Sequence, residues 1–364
     1  MSKSKHRKAQ FVPEIKRLMQ KAEAKVEHKI WDQDPLKQYV RKFGWLTIIQ
    51  DYYQRRSVEG VADPLKILTL PGENATDIGL FWLEGIIVRN SNGILNVAIC
   101  DDSSAETVVS NLAKLGNLLA YSDKRLDEAL QEETIINQFP FDVINMDLTT
   151  PLIPAKVHFN EEAIKRIFRL QRGQSFLLLL TTKPDTNQIT TTNLLNVLTH
   201  NLQNEPRFLD AYRNRYGGTS PDLCKRNLVD FVQVVYPKIL ARYARYFGYK
   251  TREHFIAHYS GGGRRNTMIC HSFEFEPLAR KENKLKYEPR IPRILENEIS
   301  DRVYGEFSTA HQRIAIDAYV EFIEYLPTHQ SISVDEILQG DESLNSHLQD
   351  DAVQLIKWWD NVGN

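Results

Sequence analysis

Five short apolar runs, separated by segments long enough for helices, set the pattern of the chain between residues 65 and 180. Each run ends in turn or polar residues, as the buried strands of a parallel sheet do. The runs cover residues 65–70, 94–100, 118–121, 141–147 and 176–180. Because strands and helical segments alternate, this pattern predicts an α/β domain with a parallel sheet.

The fourth run brings polar side chains to the end of a buried strand. Val143 and Ile144 are followed by Asn145 and Asp147, and Pro151 stands in the loop beyond them. Open α/β sheets bind their ligands outside the carboxyl ends of the strands. We therefore expect this strand to present a carboxylate to a ligand.

The ends of the first two runs are candidate ligand-binding segments. Gly72 and Glu73 lie in a turn before a predicted helix, where backbone N–H groups and the helix dipole could meet a nucleotide-like ligand. Asp101 and Asp102 end the second run, where sheets of this type use a carboxylate to hold ribose hydroxyls. Two alternatives stay open, since a single glycine serves any tight turn and the aspartates could instead cap the next helix.

Helical patterns flank the predicted sheet on both sides. The predicted helices lie within residues 3–29, which are basic, and over residues 34–56, 294–307, 311–326 and 350–359. Two alternating runs around a glycine turn, at residues 254–260 and 267–276, predict an antiparallel hairpin. The chain is thus expected to contain a basic helical segment (1–64), a sheet domain (65–276) and a helical segment (277–364).

A further helix is predicted over residues 223–247, with Pro237 expected to kink or divide it. Its second half alternates cations with aromatic rings, an arrangement found on nucleic-acid surfaces. The same alternation suits a helix whose rings face the core and whose cations face water, and this is the more common case.

The composition of the chain limits the kinds of binding surface and of cysteine chemistry that we expect. The chain has 42% hydrophobic and 26% charged residues and a net charge of −1, so any nucleic-acid surface must be a local patch. Three widely spaced cysteines form no CxxC pair, which argues against a zinc ribbon or a disulfide framework and for a reducing, cytoplasmic setting.

Metal and membrane sites are not expected. His254, His258, Cys270 and His271 lie on the predicted hairpin, but neighbours on a strand point to opposite faces and no acidic partners are evident. No apolar run approaches the ~20 residues that cross a bilayer. The basic start has no apolar core behind it, so it does not resemble a secretory signal.

Five strand–helix pairs, followed by a helix and an antiparallel hairpin, resemble the class I S-adenosylmethionine-dependent methyltransferases over about residues 65–276. The local likeness is to tRNA guanine-N2 methyltransferases and three-cysteine-motif partner proteins, whose fourth strand reads roughly D-V-I-D-L-D-P-F-G. The corresponding segment here is FDVINMDLTTP, residues 141–151. The resemblance implies a Rossmann-like, seven-stranded and mostly parallel sheet with a C-terminal antiparallel hairpin.

The resemblance also implies roles for individual residues. The turn of Gly72 and Glu73 would hold the methionine part of S-adenosylmethionine, while Asp101 would hold its ribose and Asp123 its adenine. Asp102, next to Asp101, is also expected to bind the cofactor. Asp147, with Asn145 on the same strand, would be catalytic and orient the target amine, because an acceptor aims the amine lone pair at the methyl group. An alternative role for Asp147 is to cap the loop after the strand.

Departures from the family pattern leave two main functions open. Leu148 stands where the family has proline, Asn145 where it often has an acid, and the first turn lacks two glycines. The first function is a methyltransferase acting on a base amine of RNA or DNA. The second is a binding or scaffold component without turnover, held by protein partners through its terminal helices in a larger assembly, for instance a defence-related one. A small-molecule methyltransferase ranks below both.

Overall fold

A computed structural model describes most of the chain between residues 34 and 362. The described residues are 34–58, 60, 63–72, 75–102, 105–148, 150–152, 159–184, 199, 202–204, 206–225, 228–261, 266–278 and 331–362. The helices predicted within residues 3–29, 294–307 and 311–326 lie outside this part of the chain.

Eight strands and twelve α-helices have both of their ends among the described residues. The strands are β1 (Ile67–Thr69), β2 (Val97–Cys100), β3 (Ala120–Ser122), β4 (Val143–Asp147), β5 (Phe176–Thr182), β6 (Tyr249–Gly261), β7 (Asn266–Pro277) and β8 (Ile332–Ser333). The helices are α1 (Pro35–Tyr39), α2 (Thr47–Val58), α3 (Thr76–Leu83), α4 (Ala105–Ala113), α5 (Leu126–Ala129), α6 (Glu133–Ile136), α7 (Phe159–Leu170), α8 (Pro206–Tyr216), α9 (Asp222–Lys225), α10 (Leu228–Tyr246), α11 (Val334–Gly340) and α12 (Glu342–Asn361). A π-helical segment, Val40–Leu46, connects α1 to α2.

The expected fold class is confirmed in its coarse form. This is an α/β protein with a mostly parallel central sheet flanked by helices. Contacts divide it into two compact units, one of Met1–Asp147 with Val334–Asn364 and the other of Leu148–Ser333. The limits expected for the three sequence segments stay predictions.

The first unit contains four parallel strands in the order β3-β2-β1-β4. All residues of β1 and β2 are buried, which explains why their sequences are continuously apolar instead of alternating. Thr69 is in register with Ile99 on one side and with Asn145 on the other. The carboxyl ends of the strands therefore lie level along one edge of the sheet.

Helices α1 and α2 confirm the helix predicted over residues 34–56, and the π-helical segment between them is an addition. Asp34 caps the start of α1, where its carboxylate accepts a hydrogen bond from the Leu36 N–H at 3.0 Å. Trp45 and Tyr52 are almost fully buried, so these rings belong to the core. The helix predicted at residues 350–359 lies within α12.

The second unit contains the strands β5-β7-β6-β8 in that order. Strand β7 runs antiparallel to both β5 and β6, which confirms the predicted hairpin and extends it in both directions. An aromatic cluster fills the space beside the hairpin, with Phe168 of α7 edge-on to Phe176 and Phe275 at 5.7 and 4.8 Å between ring centroids. Phe176 of β5 also stands edge-on to Tyr249 of β6.

Helix α10 continues through Pro237, so the proline does not divide it, and the predicted kink stays a prediction. A proline inside a helix removes one hydrogen bond and costs ~3 kcal/mol. Tyr236, Ile239 and Leu240 around it are buried, and α10 contacts β6, so tertiary packing offsets that cost. Tyr236 and Tyr243 are core residues, as expected for the more common of the two interpretations.

Candidate functional site

The carboxyl edge of the first unit's sheet, defined here as Gly72, Asp101, Asp123 and Asp147, brings together four of the predicted site residues. Gly72 follows β1, Asp101 follows β2, Asp123 follows β3, and Asp147 is the last residue of β4. The strand order places them along the edge as Asp123, Asp101, Gly72 and Asp147. Since neighbouring strands lie ~4.8 Å apart, a ligand of nucleoside size could contact several of them at once.

A tight turn leads from β1 to α3. The carbonyl of Gly72 accepts a hydrogen bond from the Ala75 N–H at 2.8 Å, and Ala75 adopts a left-handed conformation with φ of +45°. That conformation is unfavourable for any residue with a Cβ atom. The turn is therefore held in place by its surroundings, and Ala75 itself is fully buried. Glu73 lies outside the described residues, so its predicted role stays a prediction.

A buried polar cluster lies directly beneath the edge and consists of Thr69, Asp77 and Asn145. The Asp77 Oδ2 atom accepts hydrogen bonds from the Thr69 hydroxyl at 3.1 Å and from the Asn145 Nδ2 atom at 2.9 Å. Asp77 is in the first turn of α3, where the helix dipole favours a negative charge. The cluster thereby ties the ends of β1 and β4 to the start of α3.

The two predicted catalytic residues, Asn145 and Asp147, differ in their exposure to solvent. The Asn145 side chain has no exposed surface, and its amide nitrogen donates to Asp77 and, at 3.3 Å, to the Thr69 hydroxyl. The Asp147 side chain keeps 13% of its surface exposed. Of the two, Asp147 is therefore the residue that a ligand can touch, and Asn145 would act through its neighbours.

The charge of Asp77 is set by its surroundings. Burial raises the pKa of the Asp77 carboxyl, whereas the Arg41 guanidinium lowers it; the carboxylate of Asp147 raises it further, and Lys37 lowers it. The Asp77 Oδ1 and Asn145 Oδ1 atoms are buried and make no hydrogen bond with the described residues. The edge thus rests on a polar interior whose ionisation depends on charges from the N-terminal helical region.

Two cations from that helical region were not predicted as site residues. The Lys37 Nζ atom of α1 lies 2.6 Å from the Asp147 Oδ2 atom, and both side chains are 13% exposed. Arg41, one helical turn later, is buried and donates to the Gln38 side chain at 3.2 Å. The spacing of Lys37 and Arg41 is visible in the sequence, but only the fold shows that Lys37 reaches the last residue of β4.

The β2 and β3 ends of the edge differ in exposure. Asp101 is 9% exposed and its backbone N–H donates to the Ser122 carbonyl at 3.1 Å, whereas Asp102 and Asp123 are exposed. Asp101 is therefore held by the sheet, while Asp123 is open to solvent. Burial, with the charges of Glu132 and Asp101, raises the pKa of the Cys100 thiol, so this cysteine is not an activated nucleophile.

The hairpin histidines have local partners. His254 contacts Glu274 at 2.7 Å, and His258 contacts the Ser331 hydroxyl at 2.8 Å. His271 is fully buried, and burial lowers its pKa to about 3. Within the described ranges, no group of three or more His, Cys, Asp or Glu residues could hold a metal ion. None of the helices in those ranges is long and apolar enough to cross a membrane.

Comparison with known proteins gives one partial match. A family model described as PP_RS20740-like matches residues 120–230, which is less than half of the chain. The matched stretch runs from β3 into the start of α10 and includes Asp123, Asn145 and Asp147. No curated protein and no solved structure matches the chain.

Proposed function

We propose that this protein is an S-adenosylmethionine-dependent methyltransferase that acts on the exocyclic amine of a nucleic-acid base. The observation that carries the proposal is the carboxyl edge, where Gly72, Asp101 and Asp123 follow three adjacent parallel strands and Asp147 ends the strand on the other side of β1. Strands β2 and β4 flank β1, so the chain reverses direction across the sheet at this point. Such switch points are where α/β sheets bind nucleotides.

The topology of each unit supports the same proposal. The parallel strands of the first unit and the antiparallel hairpin of the second are both features that the resemblance to class I methyltransferases leads us to expect. Strands β6 and β7 pair in antiparallel register over most of their length. Strand β8, of two residues, would be an addition to the family pattern.

The edge residues suit the polar groups of S-adenosylmethionine. Asp101 presents a carboxylate that could accept two hydrogen bonds from the vicinal hydroxyls of a ribose. Asp123 is exposed and could accept a hydrogen bond from the adenine amino group. The turn at Gly72 brings backbone to the edge between Asp101 and Asp147, where the methionine part would lie. S-adenosylmethionine, when bound, supplies an electrophilic methyl group.

Asp147 would orient the target amine. Its carboxylate accepts a hydrogen bond from one N–H group, which aims the nitrogen lone pair at the methyl carbon. Transfer would break the methyl–sulfur bond and leave a neutral thioether, and the methylated nitrogen would release one proton, which the same carboxylate could pass to solvent. Lys37 already donates to this carboxylate, so the amine must share the acceptor with the lysine or displace it.

Substitution of Asp147 tests the catalytic part of the proposal. Asp147→Ala should leave the calorimetric affinity for S-adenosylmethionine within about twofold and lower labelled-methyl transfer to RNA or DNA by ~10²-fold or more, the usual size of a lost transition-state contact. Asp51→Ala is a matched control, because Asp51 is exposed on α2. A wild-type protein that binds the cofactor but transfers nothing to total RNA or DNA would overturn the proposed activity.

Substitution of Asp101 tests the cofactor site. Loss of a hydrogen bond to a charged group costs ~1.5–3 kcal/mol, so Asp101→Ala should weaken cofactor binding by roughly tenfold or more, whereas Asp51→Ala should not. Equal affinities for the two variants would remove Asp101 from the cofactor site. Absence of binding by the wild type at millimolar ligand would remove the cofactor itself.

The ion pair of Lys37 and Asp147 favours a second candidate, a methyltransferase-like component without turnover. In that function the lysine permanently occupies the carboxylate that catalysis would need. A pulldown of the full chain followed by mass spectrometry would then recover a stable protein partner together with unreacted cofactor. Recovery of methylated nucleic acid would favour the enzyme instead.

A further inference from the structure

Lys37 and Asp147 place a hydrogen-bond donor beside a hydrogen-bond acceptor at the open end of β4. Their nitrogen and oxygen atoms are 2.6 Å apart, and each side chain keeps 13% of its surface exposed. An ammonium group has three N–H donors and a carboxylate has two acceptor oxygens, so the ion pair uses only part of this capacity. Within the described part of the chain, the remaining donors and acceptors could serve one ligand that offers both kinds of group.

We propose that this pair reads one edge of the substrate base, an inference that rests on the proposed function. Asp147 accepts from the exocyclic amine, and Lys37 donates to the ring nitrogen next to that amine. The bases of this class are cytosine (N4 beside N3), adenine (N6 beside N1) and guanine (N2 beside N3). Enzymes that act on bases commonly read such edges by paired hydrogen bonds. Uracil and thymine have no such amine, and an aliphatic amine has no neighbouring acceptor.

The position of Lys37 is fixed by the rest of its helix. Asp34 caps the helix start one turn earlier, and Gln38 and Arg41 of the same helical region are buried. Lys37 therefore reaches Asp147 from an anchored backbone and needs no loop movement to do so. A side chain held in this way loses little further freedom when it binds a ligand.

Lys42 offers a matched control on the same helical region. It forms an ion pair with Asp351 of α12, and both side chains of that pair are 26% exposed. Substitution of Lys42 removes the same charge from the same part of the chain without touching the carboxyl edge. An effect shared by Lys37 and Lys42 variants would come from the stability of the helix or from net charge.

The experiment uses the full chain and single-stranded oligonucleotides in which cytosine, adenine or guanine is the only amine-bearing base among thymines. Methyl transfer is measured for the wild type and for Lys37→Met, Lys37→Arg and Lys42→Met. We expect Lys37→Met to raise KM for the preferred oligonucleotide at least tenfold, the low end for a hydrogen bond to a charged group. Its cofactor affinity should stay within twofold, Lys37→Arg should recover part of the loss, and Lys42→Met should match the wild type.

A modified substrate isolates the contact. Replacing the ring nitrogen beside the amine by C–H removes the acceptor that Lys37 would meet. On this probe, the KM of the wild type should rise by the same factor by which Lys37→Met raises KM on the normal base. The KM of Lys37→Met should rise no further on the probe. If the variant and the modified base raised KM independently, so that the two factors multiplied, the proposal would be overturned. Faster transfer by Lys37→Met would also overturn it, because the lysine would then only block Asp147.

Binding separates this inference from the proposed activity. If the wild type transfers no methyl group, the proposed activity fails, and fluorescence anisotropy with the same oligonucleotides still tests the contact. Weaker binding by Lys37→Met, but not by Lys42→Met, would support the recognition of a base by the pair. Equal binding by both variants, or no binding by the wild type, would overturn it.

Discussion

Gly79 allows a quantitative test of the packing that holds α3 behind the carboxyl edge. A Cβ atom built at this position would lie 3.0 Å from the Trp359 Nε1 atom and 3.2 Å from the Leu355 Cδ1 atom of α12. Both contacts are tighter than a normal van der Waals contact, and the Trp359 and Leu355 side chains are nearly fully buried. The two helices therefore approach this closely because residue 79 has no side chain.

The expected effect of Gly79→Ala is the difference of two terms. Alanine in place of glycine inside a helix ordinarily stabilises by ~0.5–1 kcal/mol, whereas overpacking a dense core costs ~1–3 kcal/mol. The overpacking term is larger, so we expect the free energy of unfolding to fall by ~1 kcal/mol. For a unit of this size that corresponds to a decrease in Tm of ~2–4 °C.

Gly340, at the end of α11, is the matched control. A Cβ atom there would meet nothing within 4 Å. Gly340→Ala should therefore raise stability by ~0.4–1 kcal/mol, through the unfolded chain. Urea unfolding followed by tryptophan fluorescence and by circular dichroism measures both variants. If Gly79→Ala were as stabilising as Gly340→Ala, the close approach of α3 and α12 would be wrong.

Two further predictions concern pH. Burial raises the pKa of Asp77 above its ordinary value of 3.8, so its contribution to stability is complete below that value and is lost as the pH rises through the raised pKa. Asp77→Asn should flatten this loss in urea unfolding series from pH 4 to 8, and an unchanged slope would contradict the burial argument. Burial lowers the pKa of His271 from 6.5 to about 3, so its contribution is present above pH 6.5 and is lost as the pH falls toward 3. His271→Gln should be less sensitive to acid across that range, whereas a variant of the partly exposed His254 serves as the comparison.

The strands could be predicted, because each of them depends on a local pattern of apolar and polar residues. Each buried parallel strand is a short apolar run that stops where the chain meets solvent, and this produces the signals at residues 65–70 and 141–147. The register of parallel strands then brings the ends of such runs to one edge, which is why Asp101 and Asp147 both lie at the carboxyl edge of the sheet. The hairpin of β6 and β7 was equally visible, since its two alternating runs flank a glycine turn.

The partners of the site residues could not be predicted in this way. Asn145 has a polar side chain at a strand end, just as Asp147 does, yet one is buried against Asp77 and the other is partly exposed beside Lys37. The two residues are two apart on β4, so their side chains point to the same face of the sheet, and the difference depends on what packs beside each of them. That packing is not specified by residue type.

The sequence by itself determined the α/β class, the position of the strands and the placement of acidic residues at their ends, because hydrophobic periodicity and turn chemistry act over a few residues. Only the tertiary structure decided that α1 brings Lys37 to Asp147, that α3 lies against α12 at Gly79, and that α10 remains whole at Pro237. These contacts join segments that are distant along the chain. Their free energy comes from burial and from charges that meet only after folding, so no local pattern encodes them.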